Sequence, residues 1–231
     1  MTRTANIFYN LVTREDTTTE LLCNLLQFSD FRRPLLTRLL NEQCASEINF
    51  DDIDTQVVLP DYGRPDIIID SDSIYALVEV KVDSVRGLTA NQPNSYFSHV
   101  FRQEQKKQRW VVFLVPRHWK HREYLDRALG LLLLAHPRGV NVKVVDWETV
   151  LETIEEYDLQ RSNPFLGQFH DLLSARFRAK PIAFTRDEVS MLFSRETGSG
   201  LLKLQDVVDQ IYKRARMSCL SWNWRGVLPL R

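Results

Sequence analysis

The N-terminal part of the chain places its apolar side chains at helical spacing. Four leucines between residues 21 and 26 recur on one face, behind the polar positions Asp16 and Thr17. This spacing after two polar residues predicts an amphipathic helix over residues 13–27. A second group of leucines predicts a further helix over about residues 34–44.

The next segment changes from helical spacing to short β-branched runs. Residues 67–69 and 76–78 are apolar, and the sequence Asp-Ser-Asp-Ser at 70–73 between them favours a turn. The pattern therefore predicts a β-hairpin. Residues 56–59 predict a strand before it, so that three strands follow one another along the chain.

Apolar runs and amphipathic segments alternate in the second half of the chain. Residues 110–115 and 140–146 predict strands covered on both faces, and helices are predicted before the first strand, from near Pro93, and between the two, over 119–134. This alternation is typical of an α/β layered sheet. Further helices are predicted over residues 148–157, 164–177, 187–195 and 201–217.

Composition narrows the class of protein. With 231 residues, of which 44% are hydrophobic and 26% charged, the chain can bury one sizeable core. The longest apolar run, at 129–135, is interrupted by Gly130 and is shorter than the roughly 20 residues that span a bilayer. The N-terminus lacks a secretory apolar region, so we expect a cytoplasmic protein with no membrane partner. Cys23, Cys44 and Cys219 lack metal-type spacing and are expected to be buried free thiols.

The overall charge is balanced. Lys and Arg number 30 and Asp and Glu number 30, so attraction to nucleic acid would have to come from a local patch. Basic residues bracket the predicted strand at 110–115, and they would form one phosphate-binding surface only if both ends of that strand met the hairpin. They are Lys106, Lys107, Arg109, Arg117, His118, Lys120, His121 and Arg122. The pair His118 and His121 is disfavoured as a metal site, because hard divalent ions prefer carboxylates.

The predicted hairpin brings acidic and basic side chains together. Asp66 begins its first strand, and Glu79 and Lys81 project from one face of the second, because side chains alternate along a strand. Two adjacent carboxylates repel each other unless a cation lies between them. The pattern therefore indicates a divalent-metal site, and a solvated strand edge with a cross-strand ion pair stays open as the alternative.

Pro65-Asp66, the hairpin and Glu79-Val80-Lys81 together resemble the signature of the PD-(D/E)XK nuclease superfamily. That superfamily is defined by such a hairpin, with an acid on one strand and acid-x-Lys on the next. The resemblance implies an α/β fold with a restriction-endonuclease-like core, in which helices flank a central mixed sheet. It also implies a nuclease-like domain over residues 1–178 and a helical C-terminal extension over 179–231, whose completeness stays open.

Two further motifs are similar to those of the RecB-like branch of this superfamily. They are Gly63-x-x-Asp66 before the hairpin and Gln92-x-x-x-Tyr96 after it. The resemblance implies that Gln92 and Tyr96 bind substrate beside the N-terminus of a helix, where a phosphate is favoured. A helix cap with a half-buried tyrosine is the alternative.

The resemblance also implies a role for each residue of the hairpin. Asp66 and Glu79 would hold Mg²⁺ or Mn²⁺ together with the backbone carbonyl of Val80. Lys81 would orient or deprotonate the attacking water, and its pKa would be lowered by burial near a metal. Glu20 matches a further metal ligand on the first core helix, and a capping box with Thr17 is the alternative for this residue.

These residues predict a metal-dependent nuclease that hydrolyses phosphodiester bonds in DNA, with RNA as the alternative substrate. Defence and DNA repair are common uses of the superfamily. A second hypothesis is a module that binds nucleic acid or protein on a nuclease scaffold without cutting. A third is a structural assembly protein, which only the helical C-terminal part supports, and formation of a homodimer is left open.

Overall fold

A five-stranded mixed sheet lies at the centre of the computed structural model, which describes residues 6–12, 14–83, 87–89, 92–103, 107–136 and 139–178. In the order in which they pair, the strands are β1 (Ile53–Thr55), β2 (Ile67–Asp70), β3 (Ile74–Val80), β4 (Gln108–Val115) and β5 (Asn141–Asp146). The predicted extension over residues 179–231, which includes Cys219, lies outside the described residues.

Helices flank both faces of the sheet. They are α1 (Phe8–Leu11), α2 (Glu15–Leu25), α3 (Ser29–Leu39), α4 (Glu42–Glu47), α5 (Asn94–Phe101), α6 (Arg122–Ala135), α7 (Trp147–Glu156), α8 (Leu159–Ser162) and α9 (Pro164–Phe177). The described part of the chain is thus an α/β fold, which confirms the prediction at that level. None of the described helices combines the length and the apolar character needed to cross a bilayer.

The sheet changes from antiparallel to parallel pairing at β3. A short turn joins β2 to β3, in which Oγ of Ser71 accepts a hydrogen bond from the N–H of Ile74 at 3.2 Å. The two strands pair antiparallel, as the hairpin prediction requires. β3, β4 and β5 pair parallel because α5 and α6 return the chain between them. Their ends therefore meet at one side of the sheet, termed here the carboxyl edge, which is formed by Val80, Val115 and Asp146.

Alternate residues of β3 face two separate hydrophobic clusters. Val78 and Val80 lie in the cluster that includes α2, α3, α7 and α9, whereas Leu77 lies with α5 and α6. Glu79 continues the series of Leu77, and its side chain contacts that of Lys81. The prediction that Glu79 and Lys81 share one face of the strand is therefore confirmed.

The predicted strand at 56–59 is wrong, because the strand that pairs with β2 lies a few residues earlier, at β1. Gln56 has a φ of 55°, so the backbone leaves the extended conformation directly after β1. Leu59 forms an isolated bridge with Gly63 across a turn in which Asp61 has a φ of 68°. The count of three successive strands is correct, although the position of the first is not.

The predicted helix over 34–44 is divided into α3 and α4. Pro34 lies inside α3 rather than at its start. The side chain of Asn41 then begins α4 by accepting a hydrogen bond from the N–H of Cys44 at 2.8 Å. The four-residue spacing of Leu36, Leu40 and Cys44 continues through this break, which explains why the hydrophobic pattern indicated one helix. Cys23 and Cys44 are buried free thiols, as expected.

Candidate active site

The hairpin places Asp66 beside the end of β3. Asp66 directly precedes β2, and its Oδ2 accepts a hydrogen bond from the N–H of Val80 at 2.7 Å. Its Oδ1 accepts a second bond from Nε2 of Gln56 at 3.3 Å. Since Asp66 is only 6% exposed, these two protein donors set the direction of the carboxylate.

A buried ion-pair network adjoins Asp66. Nζ of Lys81 donates to Oε1 of Glu79 at 2.6 Å and to Oε1 of Glu15, in the first turn of α2, at 2.9 Å. Glu79 is 4% exposed and Lys81 is 7% exposed. The alternative of a solvated strand edge is therefore excluded, because both partners of the ion pair are removed from water.

Burial and crowding change the proton affinities of these groups. Burial, and then the charge of Glu79, raise the pKa of Asp66 to about 7, against the opposing hydrogen bond from Val80 and the charge of Lys81. Burial by itself lowers the pKa of Lys81, but the charges of Glu79 and Glu15 outweigh it and raise that pKa above its usual value. The expected lowering of the Lys81 pKa is therefore wrong for the protein alone, and Lys81 is a cation at neutral pH.

Gln92 and Tyr96 meet inside the protein. Nε2 of Gln92, just before α5, donates to the hydroxyl of Tyr96 at 2.7 Å, and its Oε1 accepts from the N–H of Thr89 at 3.1 Å. Gln92 is 7% exposed and Tyr96 is 2% exposed, so the tyrosine is fully rather than half buried. Burial, followed by the charge of Glu79, raises the pKa of Tyr96, which places its hydroxyl in the field of that carboxylate. The association of the two residues is confirmed, and their role toward substrate stays a prediction.

Gly63, in the Gly63-x-x-Asp66 motif, lies against Tyr96, in the Gln92-x-x-x-Tyr96 motif. Its φ of 102° is a conformation that side-chain-bearing residues rarely adopt. A Cβ added here would stand 3.7 Å from Cε1 of Tyr96, so Gly63 packs against the tyrosine ring. The charge of Glu79 raises the pKa of both Asp66 and Tyr96. The residues of all three motifs therefore lie close together.

The N-terminus of α2 differs from the predicted capping box. Arg14 is the N-cap residue, and its N–H donates to Oγ1 of Thr17 at 3.1 Å. The capping box that paired Thr17 with Glu20 is therefore wrong, because the helix begins earlier and Thr17 takes the position assigned to Glu20. Oε1 of Glu20 accepts a hydrogen bond from Oγ1 of Thr55 at 2.9 Å instead.

Glu20 lies on the Asp66 side of α2. Thr55, its hydrogen-bond partner, immediately precedes Gln56, which bonds to Asp66. After burial, the charges of Glu20 and Asp66 both raise the pKa of Cys23, so the two carboxylates approach the same thiol. Glu20 is thus at the border of the site, and its role as a metal ligand stays a prediction.

Two residues of the site were not singled out from the sequence, namely Glu15 and Trp147. The indole N–H of Trp147 donates to the backbone carbonyl of Lys81 at 2.8 Å. Oε2 of Glu15 accepts from the N–H of Val82 at 3.4 Å, in addition to the bond from Lys81 to its other oxygen. An acidic residue in the first turn is common in any helix, and a tryptophan is commonly part of a core, so neither residue type carried a distinguishing signal.

The carboxylates of Asp66 and Glu79 suit a hard divalent cation. Oε2 of Glu79 is buried without a hydrogen-bond partner, and a cation would relieve the repulsion that raises the pKa of Asp66. Within the described ranges, no three His, Cys, Asp or Glu side chains are arranged to bind a metal together. In this geometry Glu79 is turned toward Lys81 and Glu20 toward Thr55. The pair Asp66 and Glu79 fits Mg²⁺ or Mn²⁺ in charge and in donor type.

The basic residues around β4 divide between its two ends, so the single patch that would span both ends is wrong. Lys107 and Arg109 lie at the start of β4, whereas the following turn lies beyond the carboxyl edge and is anchored by Trp119, which is 3% exposed. The N–H of Lys81 donates to the carbonyl of Leu114, which places Lys81 at that same edge. The exposed basic residues of this turn are Arg117, His118 and Lys120.

A cavity of about 530 Å³ opens at the opposite side of the sheet from the carboxyl edge. Its walls are mainly acidic and come from the β2–β3 turn and the segment before β1, with one lysine. The lining residues are Glu47, Asn49, Asp52, Asp70, Ser71, Asp72, Ser73 and Lys107. Negative side chains therefore gather at the end of the sheet that is remote from Lys81.

Comparisons of the chain with protein-family models, with curated proteins and with solved structures find no match. The resemblance to a nuclease superfamily therefore rests on the motifs and on the contacts among their residues. Those contacts place two carboxylates, one ammonium group and one phenol around the end of β3.

Proposed function

We propose that this protein is a divalent-metal-dependent nuclease of the PD-(D/E)XK type, which hydrolyses phosphodiester bonds in DNA or, as the alternative, in RNA. The observation that carries the proposal is the convergence of Gly63, Asp66, Glu79, Lys81 and Tyr96 around two crowded, buried carboxylates. Buried acids with a raised pKa beside a fixed cation are typical of catalytic sites. A purely structural network has no need to bring the two carboxylates together.

The sheet supports the proposal of a restriction-endonuclease-like core. An antiparallel hairpin is followed by parallel strands with helical connections, which is the element order that the motif resemblance implies. Lys81 and the exposed basic turn lie at the carboxyl ends of parallel strands, which is the usual position of ligand sites in open α/β sheets.

Asp66 and Glu79 would hold Mg²⁺ or Mn²⁺, with the Val80 carbonyl and Glu20 as further ligands proposed from the resemblance. A bound cation of this kind acidifies water and stabilises negative charge on phosphate oxygens. The chain itself holds the direction of Asp66 through the Val80 N–H and the Gln56 amide. Burial keeps competing water from these oxygens.

Lys81 supplies a fixed positive charge. Because its pKa is raised, Lys81 keeps its proton, and we assign it as a hydrogen-bond donor that orients the attacking water and stabilises charge on the phosphate, rather than as a base. Gln92 and Tyr96 would support the substrate side of the site. Arg117 and Lys120, exposed at the carboxyl edge, would contact the phosphate backbone.

The test is a cleavage assay with labelled single-stranded and double-stranded DNA and RNA, in Mg²⁺, in Mn²⁺ or with EDTA. We expect cleavage of at least one substrate that requires the metal. The matched control is Glu79→Gln, which keeps size and shape but removes the carboxylate charge, and which should abolish cleavage while the protein stays folded.

Two results would contradict the proposal. Cleavage that persists in EDTA or in Glu79→Gln would show that the activity depends neither on the metal nor on this site. Binding of nucleic acid without cleavage of any substrate would favour the second hypothesis, a binding module on a nuclease scaffold. Size measurement of the purified protein in the same experiments decides whether it forms a homodimer, which the sequence leaves open.

A further inference from the structure

The ammonium group of Lys81 is held by carboxylates from two different elements. Glu79 approaches it from β3 at 2.6 Å, and Glu15 approaches it from the first turn of α2 at 2.9 Å. The side chain of Lys81 is 8% exposed and that of Glu15 is 16% exposed. Water therefore contributes little to stabilising the ammonium charge, and the two carboxylates provide most of its stabilisation.

Glu15 is well placed to act as a fixed anchor. Its second oxygen accepts from the N–H of Val82, so that one carboxylate contacts both the side chain of Lys81 and the backbone that follows it. Its position in the first turn of α2 lets the helix dipole stabilise its negative charge. Packing of Leu22 and Leu25 in the core keeps α2 in place.

Glu79 is less suited to hold Lys81 alone. Its Oε1 bonds to Lys81, its Oε2 is buried, and its charge acts on Asp66 and on Tyr96. If Glu79 turns toward a divalent cation, its attraction for the ammonium group weakens, because part of its charge is then neutralised. Lys81 keeps its position only if a second carboxylate retains it.

We propose that Glu15 is a positioning residue that holds the Lys81 ammonium group at the carboxyl edge independently of Glu79. The catalytic consequence of this inference rests on the proposed function, whereas the holding itself is a property of the metal-free protein. A merely structural link would not require charges here. A buried ion pair costs desolvation and is often no more stabilising than an apolar pair of the same size.

The first test observes the ammonium group directly in metal-free protein. In ¹⁵N-lysine-labelled samples, the ammonium signal of Lys81, identified by its loss in Lys81→Arg, reports how slowly its protons exchange with water. We expect the signal to persist in Glu79→Gln and to be lost, with exchange at least about tenfold faster, in Glu15→Gln. Asp16→Asn is the matched control, because Asp16 is the neighbouring acid, its side chain is 63% exposed, and it pairs with Arg64 at 3.9 Å.

The second test measures catalysis and binding separately. We expect Glu15→Gln to lower the single-turnover cleavage rate about 10-fold to 100-fold, as is typical when an orienting partner is lost. Affinities for substrate and for Mn²⁺ should stay within about twofold of the parent, because Glu15 touches neither in this proposal. Glu15→Asp retains the charge at the helix N-terminus and serves as the second variant if Glu15→Gln does not fold. It should also lower the rate, because its carboxylate is shorter by one methylene group.

Three results would overturn the inference. The Lys81 signal could survive in Glu15→Gln and disappear in Glu79→Gln, which would make Glu79 the holder. The single-turnover rate could be unchanged in both Glu15 variants. Affinity for Mn²⁺ could fall by about tenfold or more in Glu15→Gln, which would mean that Glu15 supports the metal site rather than Lys81 alone. If the parent cleaves nothing, the proposed function fails, but the ammonium signals still decide whether Glu15 holds Lys81.

Discussion

The negative charge of Asp66 is opposed by its surroundings. Its pKa rises from 3.8 to about 7 on folding, so between these values the folded protein binds a proton that the unfolded chain does not. The contribution of Asp66 to the free energy of unfolding is therefore greatest below about pH 4 and is lost as the pH rises to about 7. Above that pH the folded protein contains two carboxylates that repel each other.

This leads to a prediction for Asp66→Asn in the absence of metal. At pH 8 we expect the variant to be more stable than the parent by about 1–3 kcal/mol, and we expect the difference to shrink toward pH 4. The new amide can still accept from the Val80 N–H, and it can donate to Oε1 of Gln56, which is buried without a partner. Urea unfolding at several pH values measures the effect. A variant less stable than the parent at pH 8 would contradict the electrostatic account.

Removal of the Lys81 charge should destabilise the protein, because it leaves Glu15 and Glu79 buried without their shared cation. We expect Lys81→Met to lower the free energy of unfolding by about 3–5 kcal/mol at pH 8. Well below its melting temperature, the single-turnover cleavage rate should fall by about 10²–10⁴-fold, with substrate affinity much less affected. Unfolding curves and a single-turnover assay beside a binding titration check both parts. An unchanged rate would remove Lys81 from the reaction.

At the scale of elements, α2 supplies two acids with different neighbours. Glu15 bonds to Lys81 at the beginning of the helix, and Glu20 bonds to Thr55 on β1. The capping explanation for Glu20 has been excluded, so the helix does not depend on its charge. The remaining explanation from the sequence is a role toward the metal.

We therefore expect Glu20→Gln to change the free energy of unfolding by less than about 0.5 kcal/mol, because the new side-chain oxygen still accepts from Thr55. We also expect it to lower Mn²⁺ affinity and cleavage by at least about tenfold. Thermal unfolding, calorimetry with Mn²⁺ and the cleavage assay are the measurements. Parent-like cleavage and Mn²⁺ affinity together would exclude Glu20 from the metal site.

The hairpin could be predicted from the sequence because its information is local. Two β-branched runs flank turn residues, and the two-residue period of a strand places Glu79 and Lys81 on one face. The position of β1 could not be predicted, because the positive φ of Gln56 leaves no trace in the hydrophobic pattern. The capping box of Thr17 and Glu20 was wrong because the N-cap of α2 is Arg14, which is an uncommon N-cap residue.

At the scale of the whole molecule, charge is balanced in number but not in position. The sequence has no net charge, yet exposed basic residues lie beyond the carboxyl edge and acidic residues line the cavity at the other side of the sheet. The exposed basic turn thus offers contacts to phosphates on the side that holds Lys81, whereas the acidic cavity would repel a polyanion from the opposite side. Composition alone could not indicate this separation of charge, because the separation depends on the strand end beside which each charged residue lies.

The corresponding prediction concerns binding rather than chemistry. Replacing both Arg117 and Lys120 with Gln should weaken nucleic-acid binding and reduce the slope of log affinity against log salt by about 2. The control replaces Lys107, at the other end of β4, and Arg161, which is 81% exposed on α8, and it removes the same charge. Titrations at several salt concentrations compare the two. If both double variants lost nucleic-acid affinity equally, the carboxyl edge would not be the binding surface.

The site as a whole was less predictable than the hairpin because its contacts join distant parts of the chain. Asp66, Glu79 and Lys81 were found from one short segment, and Gln92 and Tyr96 from a motif close behind it. Glu15 and Trp147 were missed, because each contacts Lys81 across 66 positions of the sequence. No local pattern encodes such a contact.

The hydrogen bond from Trp147 to the Lys81 carbonyl has a consequence for the synthesis of the protein. The ribosome releases Glu15 early, but the indole that bonds to the Lys81 carbonyl belongs to α7, which follows all five strands in the chain. A growing chain that has not reached residue 147 therefore lacks a finished site, even though the hairpin and α2 are already complete. A chain that proteolysis has cut before α7 is equally unfinished. The proposed hydrolysis of nucleic acid would therefore require molecules in which synthesis and folding have passed α7.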